Sequence, residues 1–77
     1  MMADKAYKLI ELVGVSDKST EDAIRGAIAR AAATLKAIDW FEVTEVRGLV
    51  QDGAVAQFQV KLKVGFRLMA EDELRAS

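Results

Sequence analysis

The sequence predicts an α+β fold: β-α-β-β with a three-stranded antiparallel sheet, order 1-3-2, curved around one helix. Three observations carry this prediction. An apolar stripe of helical period, Ile24, Ile28, Ala31, Leu35 and Ile38, separates an apolar N-terminal stretch from a β-rich second half. Phe58, Val60, Leu62, Val64, Phe66 and Leu68 alternate with Gln57, Gln59, Lys61, Lys63, Gly65 and Arg67, a long period-two pattern with one core face. Asp52-Gly53 lies just before that pattern, a strong signal for a two-residue hairpin turn.

The first strand is predicted over Tyr7–Val15, where Tyr7, Leu9, Ile10, Leu12, Val13 and Val15 are interrupted by Lys8 and Glu11. Apolar residues on more than one side imply cover on both faces. Gly14 to Ser19 supply turn formers, and Ser19 with Asp22 three residues on reads as a helix N-cap with an acidic residue favouring the helix dipole. The apolar stripe should face the sheet. Ala29, Ala32, Ala33 and Ala37 make the rest of the surface small, and Gly26 among them admits either close approach of another element or a plain solvated face dotted with Arg25, Arg30 and Lys36.

The second strand should run from about Trp40 to Val50 and the third from about Ala54 to Leu68. In the second, Phe41 and Val43 share a face with Glu45 and Arg47 if alternation is strict, while Val46 and Val50 fall opposite. The mismatch predicts a bulge or strong coil near Thr44-Glu45. A right-handed crossover through the helix makes the first two strands parallel, and inserting the third between them yields the antiparallel order 1-3-2. The whole chain, 1–77, reads as a single domain with an ordered core of about 5–68 and a peripheral charged tail at 69–77.

A chain of 77 residues buries a modest fraction of its surface, and this one has neither cysteine nor histidine for a disulfide or a Cys/His zinc site. Its hydrophobic content is nevertheless 52%, so a homo-oligomer that shares apolar faces is expected. Interspersed charge with a net of −1 gives no cationic field for nucleic acid or an anionic membrane. The N-terminus does not read as a secretory leader and no apolar run has spanning length, so a cytoplasmic location is expected.

Lacking histidine and cysteine, the chain has no Ser-His-Asp triad, imidazole base or thiol nucleophile. Its five glycines match neither the phosphate loop nor the dinucleotide fingerprint. What remains is recognition chemistry. Trp40 offers a π-face, Gln59 an amide donor and acceptor side by side, and Arg47 and Arg67 forked cationic donors, a set suited to a flat heteroaromatic ring bearing phosphate. Glu42 and Glu45 could pair as carboxylates, although two strand glutamates are far more often solvated or salt-bridged. A two-residue turn puts Trp40 opposite Gly65, where the missing side chain leaves room for a ring, with Gln59 on the same face. By spacing alone, solvated glutamine, ion-paired arginine and an interface tryptophan remain the simpler readings.

Five segments in order, Tyr-Lys-Leu-Ile-Glu-Leu-Val-Gly at 7–14, Glu-Asp-Ala-Ile at 21–24, Trp-Phe-Glu-Val at 40–43, Val-Arg-Gly at 46–48 and Gln-Val-Lys-Leu-Lys-Val-Gly-Phe-Arg-Leu at 59–68, resemble the dodecin family. The resemblance spans Ala6 to Leu68. It implies a hollow dodecamer that binds flavins, with Trp40 stacked on the isoalloxazine ring and Gln59 on its pyrimidine edge. Arg47 and Arg67 resemble positions tied to the phosphates of FMN or coenzyme A, and Glu45 is placed in the same cofactor-binding set. The implied function is storage of riboflavin or FMN with quenching of its excited state, and no catalytic turnover. Two alternatives stay open: a structural or interaction module without ligand, and a small flavin-dependent oxidoreductase.

Overall fold

The computed structural model describes residues 5–68. Its elements are β1 (Tyr7–Ser16), α1 (Thr20–Ala32), β2 (Ile38–Gln51) and β3 (Ala54–Arg67). The three strands form one antiparallel sheet in the order β1-β3-β2, as predicted. The tail expected at 69–77 lies outside the described residues.

Local chemistry accounts for each junction. Ser19 caps α1 by accepting the Asp22 N–H at 2.9 Å, yet the Asp22 carboxylate does not return to Ser19. It accepts instead from the buried Ser16 hydroxyl at 2.8 Å, and Ser16 Oγ in turn accepts from Lys18 N at 2.9 Å. The N-cap is thereby tied to the end of β1. At the hairpin, Asp52 and Gly53 have φ of 53° and 76°, the pair of left-handed residues that a type I′ turn requires.

The helix stops earlier than its apolar stripe. Ala31 O takes the N–H groups of Thr34 and Leu35, and Ala37 turns the chain through φ 62° before β2 starts at Ile38. Leu35 and Ile38 still pack on the core, so the apolar period continues past the end of the helix. Left-handed φ costs a non-glycine residue roughly 1–2 kcal/mol. Ala37→Gly should accordingly raise the denaturant midpoint, with a gain of about 0.5–1 kcal/mol after the added freedom of the unfolded chain is subtracted. A lower midpoint would show that the alanine methyl is needed there.

Val60, Leu62 and Val64 of β3 are fully buried under Ala23 and the partly covered Ile24, Ala27 and Ile28 of α1. Gly14 makes this packing possible, since a Cβ there would overlap the Ala23 carbonyl oxygen. The helix packs on β1 and β3, whereas β2 stands off, leaving a cleft of about 500 Å³ lined by Ile24, Ile28 and Phe41 among others. Among the described residues, only one face of the sheet is covered. Leu9, Val13 and Val15 of β1 are exposed, contrary to the two-sided cover expected for that strand. Phe41, Val46, Val50 and Val55 are exposed too. Extents of 57 × 21 × 14 Å make the protomer a long slab whose hairpin reaches well past its core.

Register explains what strict alternation did not. Between Val43 and Glu45 the pairing shifts by one residue at Thr44, the bulge predicted in that region. Between Leu49 and Val50 a second shift places the surplus residue, Ala56, on β3. The two shifts cancel, so Trp40 pairs with Gly65 as a bulge-free count had suggested. Between them, Arg47 pairs with Gln59 and Glu45 with Lys61. Phe41 and Val43 therefore share the helix side with Val46, while Glu45 and Arg47 join Trp40 on the open face, which corrects the face assignment made from the sequence.

Candidate functional site

The open face of the sheet carries two separate polar and aromatic groups. At the end where β2 begins, the indole of Trp40 lies over Gly65, where an added Cβ would overlap ring atoms Cζ2 and Cε2. The space left by the missing side chain is filled by the indole itself and not left for a ligand. By crossing β3 the indole reaches β1, where the Tyr7 ring stands 4.8 Å away, centroid to centroid, tilted by 59°. Both the distance and the tilt fit the preferred geometry of aromatic pairs. With these supports Trp40 is held in place and still 41% exposed.

Tyr7 is fixed in turn by Asp39, the surplus residue of a third register shift between Ile38 and Trp40. The phenol donates to Asp39 Oδ2 at 2.8 Å. That hydrogen bond raises the Tyr7 pKa above the ordinary phenol value, and desolvation and the carboxylate charge act in the same direction, with the Arg67 guanidinium opposing them. Arg67 pairs directly across from Tyr7 in the sheet. Sequence reasoning singled out Trp40 and Arg67 here but missed Tyr7 and Asp39. The available signal was the strand order itself: Trp40 at the start of β2 faces Gly65 of the central strand, and Tyr7 at the start of β1 faces Arg67, two residues further along the same side of that strand.

The second group lies toward the hairpin. Arg47 Nε donates to Gln59 Oε1 at 2.9 Å, and Gln59 Nε2 donates to Gln57 Oε1 at 2.9 Å. Glu45 meets Lys61 at 3.7 Å, an exposed ion pair of the kind worth at most about 1 kcal/mol. Val13, Glu45, Arg47, Gln59 and Lys61 together line a small recess. One edge of the Gln59 amide is thus occupied by Arg47 and Gln57, and each amide atom retains further bonding capacity.

The two groups do not meet within one chain. Gln59 and Gly65 are separated by six residues along β3, or roughly 20 Å at the rise of a β-strand. No single flat ring can stack on Trp40 and hydrogen-bond to Gln59 of the same protomer. Of the predicted residues, the structure brings Gln59, Arg47 and Glu45 together, and sets Trp40 and Arg67 apart from them.

Comparison with known proteins gives a consistent picture. The family model described as Dodecin matches residues 6–69. A dodecin from Thermus thermophilus is 53% identical over 64 residues, covering 83% of this chain and 93% of the relative. Among solved structures, dodecin from Streptomyces coelicolor superimposes with a TM-score of 0.85 at 48% identity, covering 91% of this chain and 100% of that one. The tt0972 protein from Thermus thermophilus superimposes with a TM-score of 0.83 at 51% identity, covering 87% of this chain and 98% of the other.

Proposed function

The chain belongs to the dodecin family, and from that premise we propose that it is a flavin-binding storage protein acting as a homo-oligomer, a dodecamer by family likeness. Riboflavin or FMN would stack on Trp40, with its pyrimidine edge on Gln59 of a different copy. The single observation that carries this reading is the indole of Trp40, backed by Gly65, braced by Tyr7 and presenting an accessible surface. A ring so held loses little freedom on binding, which is why a pre-positioned aromatic is an efficient stacking partner.

Assembly is part of the site. Because Trp40 and Gln59 are too far apart to serve one ring from one protomer, the slot requires at least two copies. Apolar surface on both sides of the sheet, and the cleft between α1 and Phe41, supply faces for those contacts. Arg47 retains N–H donors beyond the one given to Gln59, and with Arg67 it would meet the phosphate of FMN or of coenzyme A. Glu45, held by Lys61, would set the charge beside Gln59.

The bound isoalloxazine contributes a strongly oxidising excited state under light. Trp40 would supply an electron to it and take it back, discharging the excitation without any net reaction. Binding and quenching need no general acid or base, so we read the protein as a store and not as an enzyme.

Titration with riboflavin and with FMN tests this directly. Flavin emission should fall to near zero as sites fill, and native mass should report a closed oligomer. Unquenched emission with no bound flavin at saturating protein would refute the reading. Gln59→Ala should weaken binding by roughly 2- to 12-fold, the worth of an ordinary hydrogen bond, and reduce discrimination between flavin and other flat rings.

A further inference from the structure

The aromatic and acidic group at the start of β1 and β2 does more than hold the indole. We propose that Tyr7 is a second electron donor behind Trp40, with Asp39 as the acceptor of its proton. The two ring centroids are 4.8 Å apart, in direct packing distance. The phenolic proton already lies on a 2.8 Å hydrogen bond to Asp39 Oδ2. A phenol gives up an electron readily only when its proton can leave at the same time, and the carboxylate provides that exit without any rearrangement.

Trp40 that has lost one electron is an indole radical cation. One electron passes to it from Tyr7, the phenolic O–H bond breaks, and the proton moves to Asp39. The products are neutral Trp40, a neutral tyrosyl radical and a protonated Asp39. Return of that electron to Tyr7 from the acceptor that took it at Trp40, and of the proton from Asp39, restores the starting state. The proposal rests on the preceding reading for its natural oxidant, the light-excited flavin at Trp40; the relay itself belongs to this chain's own residues.

That separation makes a flavin-free test possible. The chain has one tryptophan and one tyrosine, so each radical can be assigned without ambiguity. Azidyl radicals generated by pulse radiolysis oxidise indole in preference to phenol. In the full-length protein, the indole radical absorption should decay as the tyrosyl absorption grows, at a rate independent of protein concentration. In Tyr7→Phe, which keeps the packed ring, the tyrosyl signal should vanish and the indole radical should persist. Asp39→Asn retains a hydrogen-bond acceptor but cannot take the proton, and should slow the transfer by at least about tenfold, a barrier increase of about 1.4 kcal/mol. Native mass and circular dichroism matched to the parent establish that the variants are folded. An indole radical that decays equally fast in Tyr7→Phe, or a transfer rate unchanged in Asp39→Asn, would overturn the proposal. Because no flavin is present, a negative result here leaves the storage reading intact, and failure of flavin to bind leaves the relay standing.

Discussion

Trp40→Ala should weaken flavin binding between about 5-fold and about 150-fold, the equivalent of the 1–3 kcal/mol that stacking on an aromatic side chain contributes. The loss is expected toward the upper end, because the truncation removes the surface that Gly65 and Tyr7 are arranged to support. Native mass should stay the same, since an indole that is 41% exposed and rests on the open face of β3 is not what fills the helix-side core. Trp40→Phe should fall between the two, with a smaller ring over the same glycine. Equal affinities for parent and alanine variant in a fluorescence titration would remove Trp40 from the site.

A second large effect is expected on stability. In Gly14→Ala the new methyl carbon would overlap the Ala23 carbonyl oxygen and sit 2.9 Å from the carbonyl carbon and 3.1 Å from Ala27 Cβ. Two of those atoms are helix backbone, which cannot swing aside as a side chain would. Relief requires α1 to lift from β1, opening the packing of Ala23 on Val60, Leu62 and Val64. Overpacking of this kind costs about 1–3 kcal/mol and sometimes more. A domain of this size has little stability to lose, so the variant should unfold at a markedly lower denaturant concentration or fail to accumulate. Gly26→Ala is the matched comparison, because nothing among the described residues lies within 4 Å of its added carbon. It should stabilise the helix by up to about 1 kcal/mol. A loss at Gly26 instead would mean that another copy presses on that turn of the helix.

Much of the architecture could be read directly from residues. The period-two pattern from Phe58 to Leu68 identified the central strand, and Asp52-Gly53 identified the turn. The pairing of Trp40 with Gly65 followed from that turn, although only because two register shifts of opposite sense cancel between them. Counting across one bulge near Thr44 would have given the wrong partner. The end of the helix was not legible, since no glycine or proline marks it and Leu35 and Ile38 keep the apolar period while leaving the helical path. Nor was the face of Glu45 and Arg47, which depends on where within Val43–Glu45 the surplus residue is accommodated.

The candidate site was legible as chemistry more than as geometry. Residue type singled out Trp40, Gln59, Arg47, Arg67 and Glu45, but their division into two groups follows from strand positions 59 and 65 on one extended chain. Tyr7 was read as one more apolar residue of β1. Its place beside Trp40 depends on the indole crossing a glycine, and its hydrogen bond to Asp39 joins residues 32 apart in sequence. Side-chain reach across a central strand is not written in any local pattern.

Thr44 and Ala56 are each a single surplus residue, and the pairings on either side of them would survive their removal. Neither is needed to align the ladder or to keep Trp40, Gln59 and Arg47 on their common side. What such surplus residues add is bend and twist. The angle at which one protomer meets the next can therefore change by gain or loss of one residue while Trp40, Gln59 and Arg47 keep their common face. Curvature of the sheet and chemistry of its open face are specified by different parts of the same hairpin.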